Sequence, residues 1–351
     1  MKILCLHIAE NQASYRYRVK QFLPHWQEYG IEMHPVNIIG KNYIEKIAIA
    51  LESRKYDYVW LQRKPLAPFL VSMIANRSML LYDFEDALYA PQTGHEGKLK
   101  DKHPGSSVMI QRINHIIRKA SLVFAGSDAL AAYAGRLNPD AVRLVPTAYP
   151  APEVVPEQAP TPGKPVTIGW IGGNGTLPYL RLIDAALCAV QQRHPGVTIS
   201  IMSGRPPEGL QAKTQFTPWS QESEKSWLGS IDIGIMPLED DEWSRGKCAF
   251  KLLQYMSYGK PVVASAVGAN MEAVIDRRSG FLASSSQQWE QALESLISSP
   301  GLRSSMGEES LRHFLANYER QRVQEQMATI LQNHPGKKSF LNVAGIPFIM
   351  P

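Results

Sequence analysis

Residues 230–268, SIDIGIMPLEDDEWSRGKCAFKLLQYMSYGKPVVASAVG, concentrate side chains that can do chemistry. Lys247, Lys251, Gln254 and Tyr258 follow one another at intervals of four, three and four, which places them on one stripe of a helix; Phe250, Leu253 and Met256 form an apolar stripe opposite. A helix N-terminus attracts anions through its free N–H groups and macrodipole, and two lysines in its first turns add full charges to that field. The chemistry predicted is phosphate binding. A solvated lysine face on a surface helix fits the same spacing.

Three further groups have the right types. Ser14, Arg16 and Arg18 stand at the start of a helix directly after the first strand, where guanidiniums favour an anion, although they also read as residues facing water. Asp83, Glu85 and Asp86 lie just past a strand end, as either a metal or sugar site or an acidic turn. Gly169, Gly172, Gly173 and Gly175, in VTIGWIGGNGTLPYL (166–180), make a turn that lets backbone approach a ligand closely.

The elements that must position these groups alternate. Residues 2–8, IEMHPVNI, YDYVWLQ, 78–83, the start of SLVFAGSDAL (121–130) and 141–149 read as short apolar strands, with helices between them, including one from about Arg16 to Gly30. The rhythm restarts with VTIGWIGGNGTLPYL (166–180), continues through 197–205 and 231–235, and reaches the strand at Pro261–Ser265 after Gly259 and Pro261 end the lysine helix. This is the pattern of parallel, doubly wound α/β sheets, in which ligands bind beyond the carboxyl ends of the strands. Five prolines within APEVVPEQAPTPGKP (151–165) mark a linker. The expected domains are therefore 1–150 and 166–315, with a last helix from Gly307 to about Leu331 that crosses back to the first domain, and an apolar tail within 316–351.

Composition sets limits. At 351 residues, 44% hydrophobic and 20% charged, the chain is that of a two-domain globular protein. His7 and Glu10 interrupt the first apolar run, against a signal peptide, and no run is long enough to span a bilayer. Cys5, Cys188 and Cys248 have no paired spacing, which suits a reducing cytoplasm. Residues 1–150 carry 19 Lys and Arg against 13 Asp and Glu, whereas residues 151–351 carry 18 against 19. The basic first half suits an anionic membrane surface or a lipid-linked phosphate; nucleic acid is disfavoured because no RNA-binding or recognition-helix pattern accompanies it. The turn at 172–175 lacks the dinucleotide G-x-G-x-x-G spacing, and Gly246-Lys247 lacks a Walker loop's first glycine and is followed by Cys248.

The stretches GWIGGNGTLPYL, IDIGIMPLEDDEWSRGKCAFKLLQYMSYGKPVVAS, VGANMEAV and SGFL, with YDFEDALYA, ASLVFAGSDALAAY and VPTAYP in the first half, resemble the GT-B glycosyltransferases, and more closely the retaining family 4 enzymes of the "glycosyl transferases group 1" kind. The resemblance implies two Rossmann-like domains facing across a cleft, the second binding a nucleoside-diphosphate sugar and the first an acceptor, glycan or lipid-linked. It implies transfer with retention, no metal and no cofactor beyond that co-substrate, in cell-surface polysaccharide synthesis, in the cytoplasm or at the inner face of the membrane.

Carried over by position, Gly172, Gly173 and Asn174 face the donor diphosphate, Lys251 and Lys247 neutralise it, Arg205 and Phe250 line the donor site, and Arg18 closes as a second clamp. Asp86 lies where the family keeps a polar residue near the reacting sugar. Gln254 takes the place of the glutamate that holds the donor ribose. The family's other glutamate would fall at Gly246, so the usual pair is missing, with Asp241 or Glu242 as substitutes. A sugar-nucleotide 2-epimerase and a non-catalytic nucleotide-sugar binder share the same pattern.

Overall fold

A parallel strand covered on both faces has no wet side, so it reads as an unbroken apolar run. That describes β3 (Tyr58–Gln62), β4 (Met79–Phe84), β5 (Leu122–Ala125), β10 (Ile233–Met236) and β11 (Val262–Ser265), each buried along its length. The computed structural model describes residues 1–93, 99–100, 103–154 and 165–335. Most of the proline-rich stretch and the tail 337–351 fall outside them.

The chain divides into two compact units, Met1–Thr147 with the chain from Val323, and Ala148–Arg322. In the first, β1 (Lys2–His7), β2 (Glu32–Asn37), β3, β4, β5 and β6 (Val142–Leu144) form one parallel sheet in the order β2-β1-β3-β4-β5-β6. In the second, β7 (Thr167–Ile171), β8 (Thr198–Ser203), β9 (Thr214–Pro218), β10, β11 and β12 (Gly280–Ala283) form another, in the order β12-β11-β10-β7-β8-β9. Winding reverses between β1 and β3 in the first sheet and between β7 and β10 in the second. Crevices open beyond the carboxyl ends of the strands at such reversals.

The first core is built on aromatic edges: Trp26 meets Trp60 at 6.0 Å and Trp60 meets Phe124 at 5.6 Å, both edge-to-face. In the second, Trp170 is buried among Ile168, Leu180, Ile201 and Ile235. Segments from both ends of the chain complete the first unit. Gln324 donates to the Phe22 carbonyl (3.1 Å), Gln332 to that of Tyr29 (3.1 Å), and the Tyr58 hydroxyl meets His334 Nδ1 at 2.9 Å.

Several elements differ from the sequence expectation. In place of one helix over 16–30 there is a short α-helix, Ala13–Arg18, and a 3₁₀ segment, Lys20–Tyr29, because Pro24 prevents a regular helix. β9 is an edge strand of sequence TQFTP, and its half-exposed residues leave no apolar run to read. The last helix is two, Pro300–Asn317 and Arg320–Asn333. The break lies where Tyr149 donates to the Tyr318 carbonyl (3.1 Å) and accepts from the Arg320 N–H (3.1 Å), drawing that backbone out of the helical ladder.

Candidate functional site

The winding reversal of the second sheet brings the loop after β7 beside the loop after β10. The first is the glycine turn. A Cβ on Gly172 would lie 2.6 Å from Lys251 Cε and 2.6 Å from the Trp170 indole, so only glycine leaves room for the lysine stem. Lys251 Nζ stands 5.4 Å from the centre of the Trp170 ring, and Lys247 Nζ 4.9 Å from that of Trp243. Each ammonium is thus steered by an aromatic face. Asn174 follows Gly173 and rests on Gly204, whose added Cβ would fall 2.8 Å from the amide oxygen. Arg205 continues from Gly204 with an exposed side chain 3.5 Å from Glu208.

The lysine helix runs Phe250–Ser257 and is buried on most of its circumference. This corrects the single stripe. Lys247 precedes the helix, in a turn closed by its own N–H to the Ser244 carbonyl (3.1 Å), and Ala249 between them has φ +52°. Gln254, expected beside the ligand, and Tyr258, expected on the same stripe, are buried. Gln254 Nε2 donates to Glu224 Oε1 (2.9 Å), which also accepts from the Tyr149 hydroxyl (3.1 Å), while Glu224 Oε2 accepts from Trp219 Nε1 (2.7 Å). The amide expected on a ribose is therefore turned into a buried polar network. Asp241 does not stand in for the missing carboxylate either: it caps the Glu242–Arg245 turn, accepting from the Ser244 N–H at 2.7 Å. Glu242 lies exposed within that turn. Phe250 opens the helix and meets the Tyr149 ring edge-on at 5.8 Å.

In the first unit, chemistry gathers at the carboxyl ends of β1, β3 and β4. Ser14 donates to Glu85 and accepts from Gln62 Nε2 (2.6 Å). Arg63 reaches Asp86 at 2.6 Å and Glu85 at 3.6 Å. Burial pushes the Glu85 carboxyl up to about 7, Arg63 pulling it down and Asp86 and Asp83 pushing it further up. Arg63 has φ +58°, a conformation that costs about 1 kcal/mol or more outside glycine. Arg18 is the second correction. It is buried against Asp83, with Nη1 on the Val145 carbonyl (2.8 Å), and Asp83 also accepts from Trp60 Nε1 (3.3 Å). A guanidinium so enclosed holds the first unit together and cannot serve as a mobile clamp.

Residues 167–299, which contain the glycine turn and both lysines, match the family model "Glycosyl transferases group 1". The matched stretch lies within the second unit. No curated protein matches the sequence. Among solved structures, the chain is similar to HepE of Anabaena in complex with UDP and glucose (TM-score 0.70, 14% identity, 95% of this chain and 100% of that one). It is also similar to sucrose-phosphate synthase of Thermosynechococcus elongatus (0.72, 14%, 97% and 99%) and to a glycosyltransferase of Rickettsia africae (0.66, 15%, 95% and 99%). These likenesses establish the fold, two parallel α/β sheets of the GT-B glycosyltransferase kind.

Within the second unit, sequence reasoning missed two residues. Tyr255 accepts from the Ile171 N–H (2.9 Å) and donates to the Ile235 carbonyl (3.3 Å), tying the lysine helix to the ends of β7 and β10. Gly234 makes this possible, since a Cβ there would fall 2.3 Å from the Tyr255 ring. The helix is thereby fixed one residue from the glycine turn. Glu224 is the other, and nothing in its local sequence sets it apart from its acidic neighbour Glu222. In the first unit, Arg63 was missed because a lone arginine after a strand carries no signal. Among the described residues, no group of three or more His, Cys, Asp or Glu is placed to hold a metal ion, and no helix is long and apolar enough to cross a membrane.

Proposed function

We propose that the chain transfers a sugar from a nucleoside-diphosphate sugar to a glycan or lipid-linked acceptor, with retention of anomeric configuration, in cell-surface polysaccharide synthesis at the cytoplasmic face of a membrane. The observation that carries this reading is Lys251 seated on Gly172 inside the stretch that matches the group 1 family model, at the winding reversal where an α/β sheet binds its ligand. Support for a uridine donor comes from HepE, whose structure holds UDP and glucose.

In the reaction, the bond from the anomeric carbon to the diphosphate breaks and its electron pair stays on the diphosphate. A new bond forms to the acceptor oxygen, whose proton passes to the departing diphosphate oxygen. Negative charge grows on the leaving group, so Lys251, Lys247 and the N–H groups of Gly173 and Asn174 favour the transition state over the ground state. In the first unit, Asp86 and Glu85 accept hydrogen bonds from acceptor hydroxyls, and Arg63 holds the two carboxyls in place.

Calorimetric titration of the full chain with UDP-, GDP- and dTDP-glucose, with chromatography of the products, tests the reading. The expected result is binding of one donor with slow release of its sugar to water, both weakened in Lys251→Ala. Interconversion of free nucleotide sugars would make the chain an epimerase, and absence of binding to any of the three would end the donor assignment.

A further inference from the structure

The helices that follow β2, β3 and β4, namely Tyr43–Glu52, Pro68–Ala75 and Ser107–Lys119, lie side by side on the first sheet. The outermost helix is apolar on the wrong side for a core. Ile44, Ala48 and Leu51 follow at intervals of four and three along one exposed face; Ile44 is 77% and Leu51 46% exposed. Tyr43 (57%) stacks near Phe69 (38%) of the next helix at 5.2 Å, and Ile39 (43%) precedes them. Five of the thirteen large hydrophobic side chains exposed among the described residues thus fall between positions 39 and 69. Scattered exposed apolar residues need no explanation, but a cluster on one helix layer does.

Charge decides what covers it. Within the three helices the basic residues are Lys46, Arg112, Arg118 and Lys119, against Glu45 and Glu52, and the second and third helices contain no acid. A second copy docked by two-fold symmetry would bring this basic layer against itself. An anionic lipid surface accepts both features, taking aliphatic and aromatic side chains into the headgroup boundary while lysines and arginines meet the lipid charge.

We propose that the face formed by Ile39, Tyr43, Ile44, Leu51 and Phe69 docks the protein on an anionic lipid bilayer. This deepens the proposed function by giving a surface for a lipid-linked acceptor, but it is read without any sugar nucleotide, so its failure and the failure of transfer are separable.

The test is sedimentation of the full chain with vesicles of phosphatidylcholine alone and of equal parts phosphatidylcholine and phosphatidylglycerol. The wild type is expected to pellet with the anionic vesicles only, and to be released by high salt. Ile44→Glu with Leu51→Glu should lower partitioning about tenfold or more, because both side chains must leave the interface. Met271→Glu, at an exposed position of the second unit, should change nothing. All three substitutions are at surface positions, and an unchanged circular dichroism spectrum checks the fold. Wild type that ignores anionic vesicles, or a double variant that binds as wild type does, overturns the proposal. So does light scattering that shows a dimer which the double variant dissolves.

Discussion

Lys251 and Gly172 occupy adjoining space: a methyl group on the glycine would stand 2.6 Å from the lysine's Cε. The two residues are 79 positions apart, on different crossovers of one sheet, and the lysine's path past the Trp170 indole exists only because position 172 has no side chain. The glycine turn and the cation form one device.

Gly172→Ala should therefore impair the same function as Lys251→Ala. Removing the ammonium is expected to cost ~3 kcal/mol of transition-state stabilisation, about two decades of turnover, with the fold intact. Adding the methyl should displace the lysine, lower turnover roughly tenfold or more, and cost about 1–3 kcal/mol of stability through overpacking. Steady-state kinetics with the donor found by titration, beside thermal melts, checks both. Near-normal turnover in Lys251→Ala would remove that lysine from the site.

Glu224→Ala should unfold the second unit more readily without a selective effect on donor binding. The buried carboxylate accepts from Tyr149, Trp219 and Gln254, and removing it strands three donors. The expected loss is about 3 kcal/mol, read from urea midpoints. Gln254→Ala, which strands fewer groups, should lose about 1–2 kcal/mol.

Arg18→Ala should behave as a folding mutation. It leaves Asp83, fully buried, without its guanidinium, at an expected cost of about 3–5 kcal/mol. A mobile clamp would show the reverse pattern, with stability unchanged and donor affinity reduced. Equilibrium unfolding and donor titration of one sample distinguish the two.

The pH dependence of stability should carry the mark of Glu85. Its carboxyl titrates near 7 in the folded chain, against an ordinary value of 4.5, so the fold binds a proton that the unfolded chain has released. Glu85 then costs nothing at acid pH. Its cost grows as pH rises above about 4.5 and is complete above about 7. Glu85→Gln, which mimics the protonated form, should match wild type near pH 4.5 and exceed it by roughly 3 kcal/mol near pH 8. Equal midpoints at both pH values would place the Glu85 titration in the ordinary range.

Much of this was legible in order along the chain. Unbroken apolar strands alternating with helices specify parallel sheets, because such strands have no wet face, and the glycine turn and Lys251 carry their types in the sequence. The partnerships were not legible. Arg18 and Asp83 are 65 positions apart, Gln254 and Glu224 30, and in each case a residue that looked poised for a ligand is consumed by a buried partner. Helical spacing placed Lys247 on the stripe of Lys251, but the left-handed turn at Ala249 starts the helix later and moves it off. Sequence fixes periodicity and residue type, which are local; a parallel sheet brings the ends of distant strands to one edge, and only there is it decided which charges face each other and which face outward.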